Sequence, residues 1–196
     1  MSSWGASDAD EAKPKWLTTA QKKQVYATTA GWVEEAGNAS SGNNNTSAAA
    51  EVLVCVKNLT TKLGAATMTS VEFITTSWDA SAGGTLQVRA RWNEAIDVVL
   101  GDGSGVKLVV NRTPSGGSAV SHTLKVQAAV TGVNEVVFSL AIAGGVASAL
   151  DSFAVIDQGL TFGGNATCKD AGTSVTAEVV ITAAMSTAAG TLVATA

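Results

Sequence analysis

From Thr85 to Trp92 the chain alternates strictly, with Leu86, Val88, Ala90 and Trp92 at one parity and Thr85, Gln87, Arg89 and Arg91 at the other. Successive side chains of a strand point to opposite faces, so this run predicts a core face and a wet face. The same period of two recurs at Val52/Val54/Val56, Val71/Phe73, Val106/Leu108/Val110, Leu124/Val126/Ala128, Val136/Phe138/Leu140/Ile142 and Val175/Ala177/Val179/Ile181. Turn formers separate the runs: Ala82-Gly83-Gly84, Gly101 to Gly105, Pro114 to Gly117, Gly144-Gly145 and Gly163-Gly164-Asn165. Short strands at such spacing, with no helical period between them, predict an all-β sandwich rather than a βαβ fold. Leu86, Val88, Trp92, Phe138 and Leu140 are its predicted core.

The first third of the chain reads differently. Met1 to Lys15 has no periodicity and carries Asp8, Asp10 and Glu11, which predicts an extended arm. Thr18 or Thr19 can cap one short helix over Ala20 to Ala27, steadied by Leu17 and Val25 and stopped by Gly31. Gly37 to Ala50 is a run of turn formers, read as a surface loop joining a strand near Trp32 to the next strand. Three regions follow: an arm with at most one short helix (1–35), a polar loop and linking strand (36–67), and the sandwich (68–196). Trp4, Trp16, Tyr26 and Trp32 concentrate large amphipathic rings ahead of the sandwich. Such rings are enriched at interfaces, so these four with Leu17 form a candidate assembly surface, unless they fold back onto their own domain.

Composition removes several classes of function. Lys plus Arg number 12 against 16 acids, a net charge of −4, so nothing marks a nucleic-acid or anionic-membrane partner. Mean hydropathy is +0.24, yet the apolar residues come in short alternating bursts and never in a run of about 18, so no spanning helix is expected. The opening residues lack the basic and apolar regions of a secretory signal.

Candidate chemistry is sparse. His122 is the sole histidine and shares strand parity with Leu124 and Val126, a structural position rather than a catalytic base. Cys55 and Cys168 fit no zinc pattern; two buried thiols or one bridge between strands are both open. Asp97 and Asp102 flank a glycine-rich loop without the alternating ligands of a calcium loop, and a hairpin turn suffices. No glycine cluster leads into a helix as a phosphate cradle requires. No catalytic residue, metal or cofactor is therefore expected.

Two stretches carry resemblances. Thr85 to Val98 with its Trp92-Asn93-Glu94 segment, followed by Val106 to Val110 and Val136 to Leu140, resembles bacterial immunoglobulin-like repeat domains, which implies an immunoglobulin-like sandwich behind the arm. Trp4-Gly5-Ala6-Ser7-Asp8-Ala9-Asp10-Glu11-Ala12-Lys13-Pro14-Lys15-Trp16-Leu17, with Val25-Tyr26-Ala27 and Ala30-Gly31-Trp32-Val33, looks like the opening of virion structural proteins of marine tailed phages, cyanophages especially. That implies a non-enzymatic component of the particle's outer surface, a homo-oligomeric decoration (cement) protein held by its arm to the major capsid protein or other virion subunits. A tail- or fibre-associated receptor-binding protein is the alternative, and a bacterial surface adhesin module a further one.

Overall fold

The structure is a computed structural model that describes residues 13–14, 16–28, 31–37, 45, 47–54, 65–102 and 105–196. Trp4 and Cys55 lie outside the described residues. The chain is all-β with few helices. Near its start come α1 (Thr19–Lys22), β1 (Val25–Thr28), β2 (Gly31–Glu34) and β3 (Glu51–Val54), the three strands forming one antiparallel sheet in that order. The body then runs β4 (Met68–Phe73), β5 (Trp78–Asp79), β6 (Gly83–Val99), β7 (Val106–Thr113), β8 (Val120–Val126) and β9 (Val130–Ala143). It continues with β10 (Ser152–Val155), β11 (Gln158–Gly159), β12 (Thr161–Phe162), β13 (Thr167–Asp170), β14 (Val180–Ile181), α2 (Ala183–Ala189) and β15 (Thr191–Thr195).

One curled sheet takes up most of these strands in the order β13-β6-β9-β8-β7-β10-β15-β5, with β4 also on β6 and β12 also on β7. Every pairing in it is antiparallel except β15 with β5. Hydrogen bonding narrows at the corner to Lys125 opposite Ser139 and Val126 opposite Phe138, where β8 turns away from β9. The inner face encloses one core. Leu86, Val88, Trp92 and Phe138 are fully buried there, as expected, and Leu140 packs against it from a partly buried position. The Trp78 and Phe153 rings meet in it at 5.4 Å.

The long strand β6 organises the body. Along one edge it pairs with β9; along the other, its first half takes β4 and its second half β13. Between the pairs Arg91–Glu135 and Ile96–Val133, the four residues Trp92 to Ala95 stand against Asn134 alone, a large bulge that bends the strand. The polar residues of the bulge are buried and bonded. Asn93 donates its N–H to the Thr67 carbonyl at 3.0 Å and accepts the Thr67 N–H at 2.7 Å, while Ala95 accepts from Ala171 at 2.9 Å. The Trp92-Asn93-Glu94 segment is thus the hinge where β6 changes partners.

Two elements depart from the periodic reading. The run Val175 to Ile181 becomes a strand only at β14, because its partners change along its length: Val175 accepts from Asp170 and Ala177 donates to Cys168, a single bridge to β13, after which Glu178 donates to Ala66 and Val179 accepts from Leu160. No ladder can grow from such bonds. Helix α2 has no counterpart in the two-residue period; Thr182 caps it by accepting the Met185 N–H, and Gly190 ends it at φ +70°.

Candidate interaction surface

The N-terminal unit is built from a few local rules. Thr18 and Gln21 form a reciprocal capping box that starts α1, and Lys23 closes it after a single turn. The helix is shorter than expected because Val25 to Thr28 pairs with β2 instead of continuing it. Leu17, Val25 and Trp32 then bury one another, with Leu53 and Val54 packed alongside.

Of the stretch Met1 to Lys15 expected to be extended, only residues 13 and 14 are described; beyond it, after α1, the chain folds into strands, one of them at the position expected near Trp32, since an indole and two aliphatic side chains lose water contact that way. Trp32 is 1% exposed and Leu17 also buried, so both serve their own chain. Tyr26 is half-buried, and burial, reinforced by the Glu35 charge, pushes its hydroxyl above the usual tyrosine value. Of the predicted assembly residues described, Trp16 alone stands in solvent, at 65% exposure.

The unit lies over the outer face of β6, through β1 and Glu35. Arg91, at a position expected to face water, is 4% exposed. Its guanidinium reaches Glu72 at 2.5 Å, Glu135 at 3.4 Å and Glu35 at 3.5 Å. Arg89 reaches Glu72 at 2.7 Å and Glu135 at 3.3 Å from a more open position. Asn134 of the bulge donates its amide to Glu35. The alternation places Arg91 on the correct face; what it does not contain is that the N-terminal sheet covers that face.

The network divides its carboxylates. Burial raises the Glu35 pKa, and Glu135 adds to the rise, more than Arg91, Asn134 and Arg89 offset it. At Glu72 burial acts in the same direction, but the charges and hydrogen bonds of Arg91 and Arg89 outweigh it and hold the carboxyl below its ordinary value.

A groove of about 300 Å³ runs between the end of α1 and helix α2, with strand β4 as its floor. It continues into a second hollow of about 330 Å³ lined by Lys13, Lys22, Lys23 and Met68, the two sharing Lys23, Thr69 and Met185. The buried Ser70 hydroxyl lines it and has no hydrogen-bond partner among the described residues.

The remaining candidates sit apart. His122 lies opposite Val110 with its ring 6.0 Å from Phe153, and burial, then Arg112, lowers its pKa. Cys168 is a buried free thiol, pushed by burial to about 12. Asp97 accepts N–H bonds from Gly132 at 2.8 Å and Gly172 at 3.2 Å, so it ties loops together. Among the described residues no group of three or more His, Cys, Asp or Glu could hold a metal ion, and no helix is long and apolar enough to cross a membrane.

No family model, curated protein or solved structure matches this chain. The resemblances to phage virion openings and to immunoglobulin-like repeats accordingly rest on the residues quoted for them. The surface itself offers a solvent-facing indole, a lysine-lined groove and a buried ion network.

Proposed function

We propose that the chain is a non-enzymatic structural protein of a phage virion, present in many copies on the outside of the capsid as a decoration protein. The observation that carries this reading is Trp16, an indole 65% exposed on the N-terminal unit, four residues beyond the segment 1–12 that bears Trp4. Large amphipathic rings in solvent are the residues that interfaces favour, because they bury much area with few torsions to fix. In this reading Trp4 and Trp16 contact the major capsid protein or another virion subunit. Leu17, Tyr26 and Trp32 support them from within, and the sandwich, immunoglobulin-like by its sequence resemblance, projects outward.

Antibodies raised against the folded chain provide the test. They should label intact heads of purified particles, and mass spectrometry of those particles should find the chain in many copies. Label confined to tails would replace capsid decoration with the tail or fibre assignment. Absence from purified particles would remove the virion reading altogether.

A further inference from the structure

Leu150 combines two exceptions. It is the one non-glycine residue with positive φ among the described residues, at +71°, and at 71% it is the most exposed of their large hydrophobic side chains. An L residue enters that region of backbone at a cost, and an exposed leucine adds nothing to the core, so the fold itself gives no reason for this residue at this place. The turn that carries it is nevertheless fixed. Leu150 donates its N–H to the Ala194 carbonyl at 2.9 Å, and the buried Asp151 carboxylate beside it accepts N–H bonds from Ser148 at 2.9 Å and Ser115 at 3.3 Å and a charged one from Arg112 at 2.5 Å. A strained, solvent-facing leucine on a pinned turn is a preorganised contact.

It stands at the end of a face without charge. On β8, β7, β10 and β15, Ser121, Asn111, Ala154 and Thr191 lie in one row across the four strands, and Thr113, Ser152 and Val193 in the next. The buried Phe153 and Leu192 alternate with them, so this is the outer side of the sheet, and Val193 is 48% exposed there. Leu150 lies two residues before Ser152, while Lys107 and Lys125, paired opposite each other, close the far end. We infer that this face is where two copies of the chain pack, sheet on sheet, with Leu150 and Val193 as the apolar contacts. A net charge of −4 sets copies against each other in general, whereas here no like charges meet when the two-fold axis runs across the strands and keeps the two lysine ends apart. The other half of the sheet's outer side, at β6, is already covered by the N-terminal unit. The face measures roughly 19 Å across the strands and 20 Å along them, about 400 Å², less than the ~800 Å² per partner of a standard stable interface, so the pair is a weak one. This inference stands apart from the virion reading and concerns the isolated chain.

Sedimentation equilibrium of the full-length chain over a range of concentrations provides the test. The parent should show a monomer–dimer equilibrium with a dissociation constant of about 10 μM or weaker. Leu150→Asn removes the apolar contact with a residue that tolerates positive φ, and Val193→Lys sets a charge in the middle of the face. Each should weaken the pair about tenfold or more, and Leu150→Asn should leave the thermal midpoint of dilute protein unchanged or higher. Trp16→Ala should leave the pair intact. A parent that stays monomeric up to about 1 mM overturns the inference, since even a weak interface of this size associates there. A dimer undiminished by both substitutions overturns it too, and a dimer lost with Trp16→Ala would move the contact to the N-terminal unit.

Discussion

Trp92 shows how much one side chain carries in this core. Its ring is 1% exposed, and its indole N–H donates to the Glu178 carbonyl at 2.7 Å, so one residue fills the bend of β6 and ties down the strand-like run after β13. Trp92→Ala should cost about 3–5 kcal/mol, read as a lowered urea midpoint with unchanged slope. A variant that unfolds with the parent would mean that the ring is not core. Cys168 makes a second test at this scale. With its pKa pushed to about 12, the thiolate is scarce at pH 8, and thiols react as thiolates. A disulfide reagent should therefore modify Cys168 only as the protein unfolds, with Cys168→Ser identifying the signal; rapid reaction in the native state would contradict its burial.

At the scale of elements, strand β6 was legible in its facing and illegible in its surroundings. The alternation gives Leu86, Val88, Ala90 and Trp92 inward and Arg91 outward, and all five lie as it says. Periodicity reports the side a residue faces, however, and not whether another sheet covers that side. The acids that meet Arg91 come from positions 35, 72 and 135, a convergence that no local window contains.

Arg91→Ala leaves three glutamates facing one another with only Arg89 between them. It should cost about 3 kcal/mol, at the low end for a broken buried pair because the glutamates are partly exposed. Arg89→Ala, removing a more open side chain, should cost about 1 kcal/mol or less. Equal effects in chemical denaturation would show that the N-terminal sheet does not bury Arg91.

The carboxylates add a pH signature. Glu35 has its pKa raised on folding, so its contribution favours the folded state at acid pH and is lost as pH rises from the unfolded carboxylate value through the folded one. Glu72 has its pKa lowered, so its contribution is present above the unfolded value and is lost as pH falls through the folded one. Glu35→Gln should therefore stabilise the protein at pH 7, and Glu72→Gln should destabilise it there. Both differences should shrink toward zero in acid. Opposite signs at pH 7 would refute the division of the network.

For the whole molecule, the all-β class was readable because period two survives averaging over many strands, and it reached the N-terminal sheet only at β3, through Val52 and Val54, whereas β1 and α2 are too short to print a period of their own. The pairing of β1 with β2 depends on Leu17, Val25 and Trp32 meeting in space. That dependence predicts how truncation behaves. A chain starting at Lys13 keeps every described contact and should melt with the parent. A chain starting at Trp32 loses Leu17 and Val25 from that cluster and uncovers the Arg91 face, and should lose at least about 2 kcal/mol. Equal stability of the two would detach the N-terminal unit from the fold's energetics.

Strand β15 occupies an interior place in the sheet, between β10 and β5, and Thr195 both accepts the Ala80 N–H and donates its hydroxyl to the Trp78 carbonyl. On the ribosome this orders events. Strands β4 to β10 can emerge and pair, but the slot between β10 and β5 stays vacant, with Leu192 and Ala194 missing from the interior, until residues 191–195 have left the exit tunnel. The nascent chain therefore carries an open seam from the emergence of β10 until β15 has followed it out, and closure of the sheet is an event that follows translation of β15 rather than one that accompanies it.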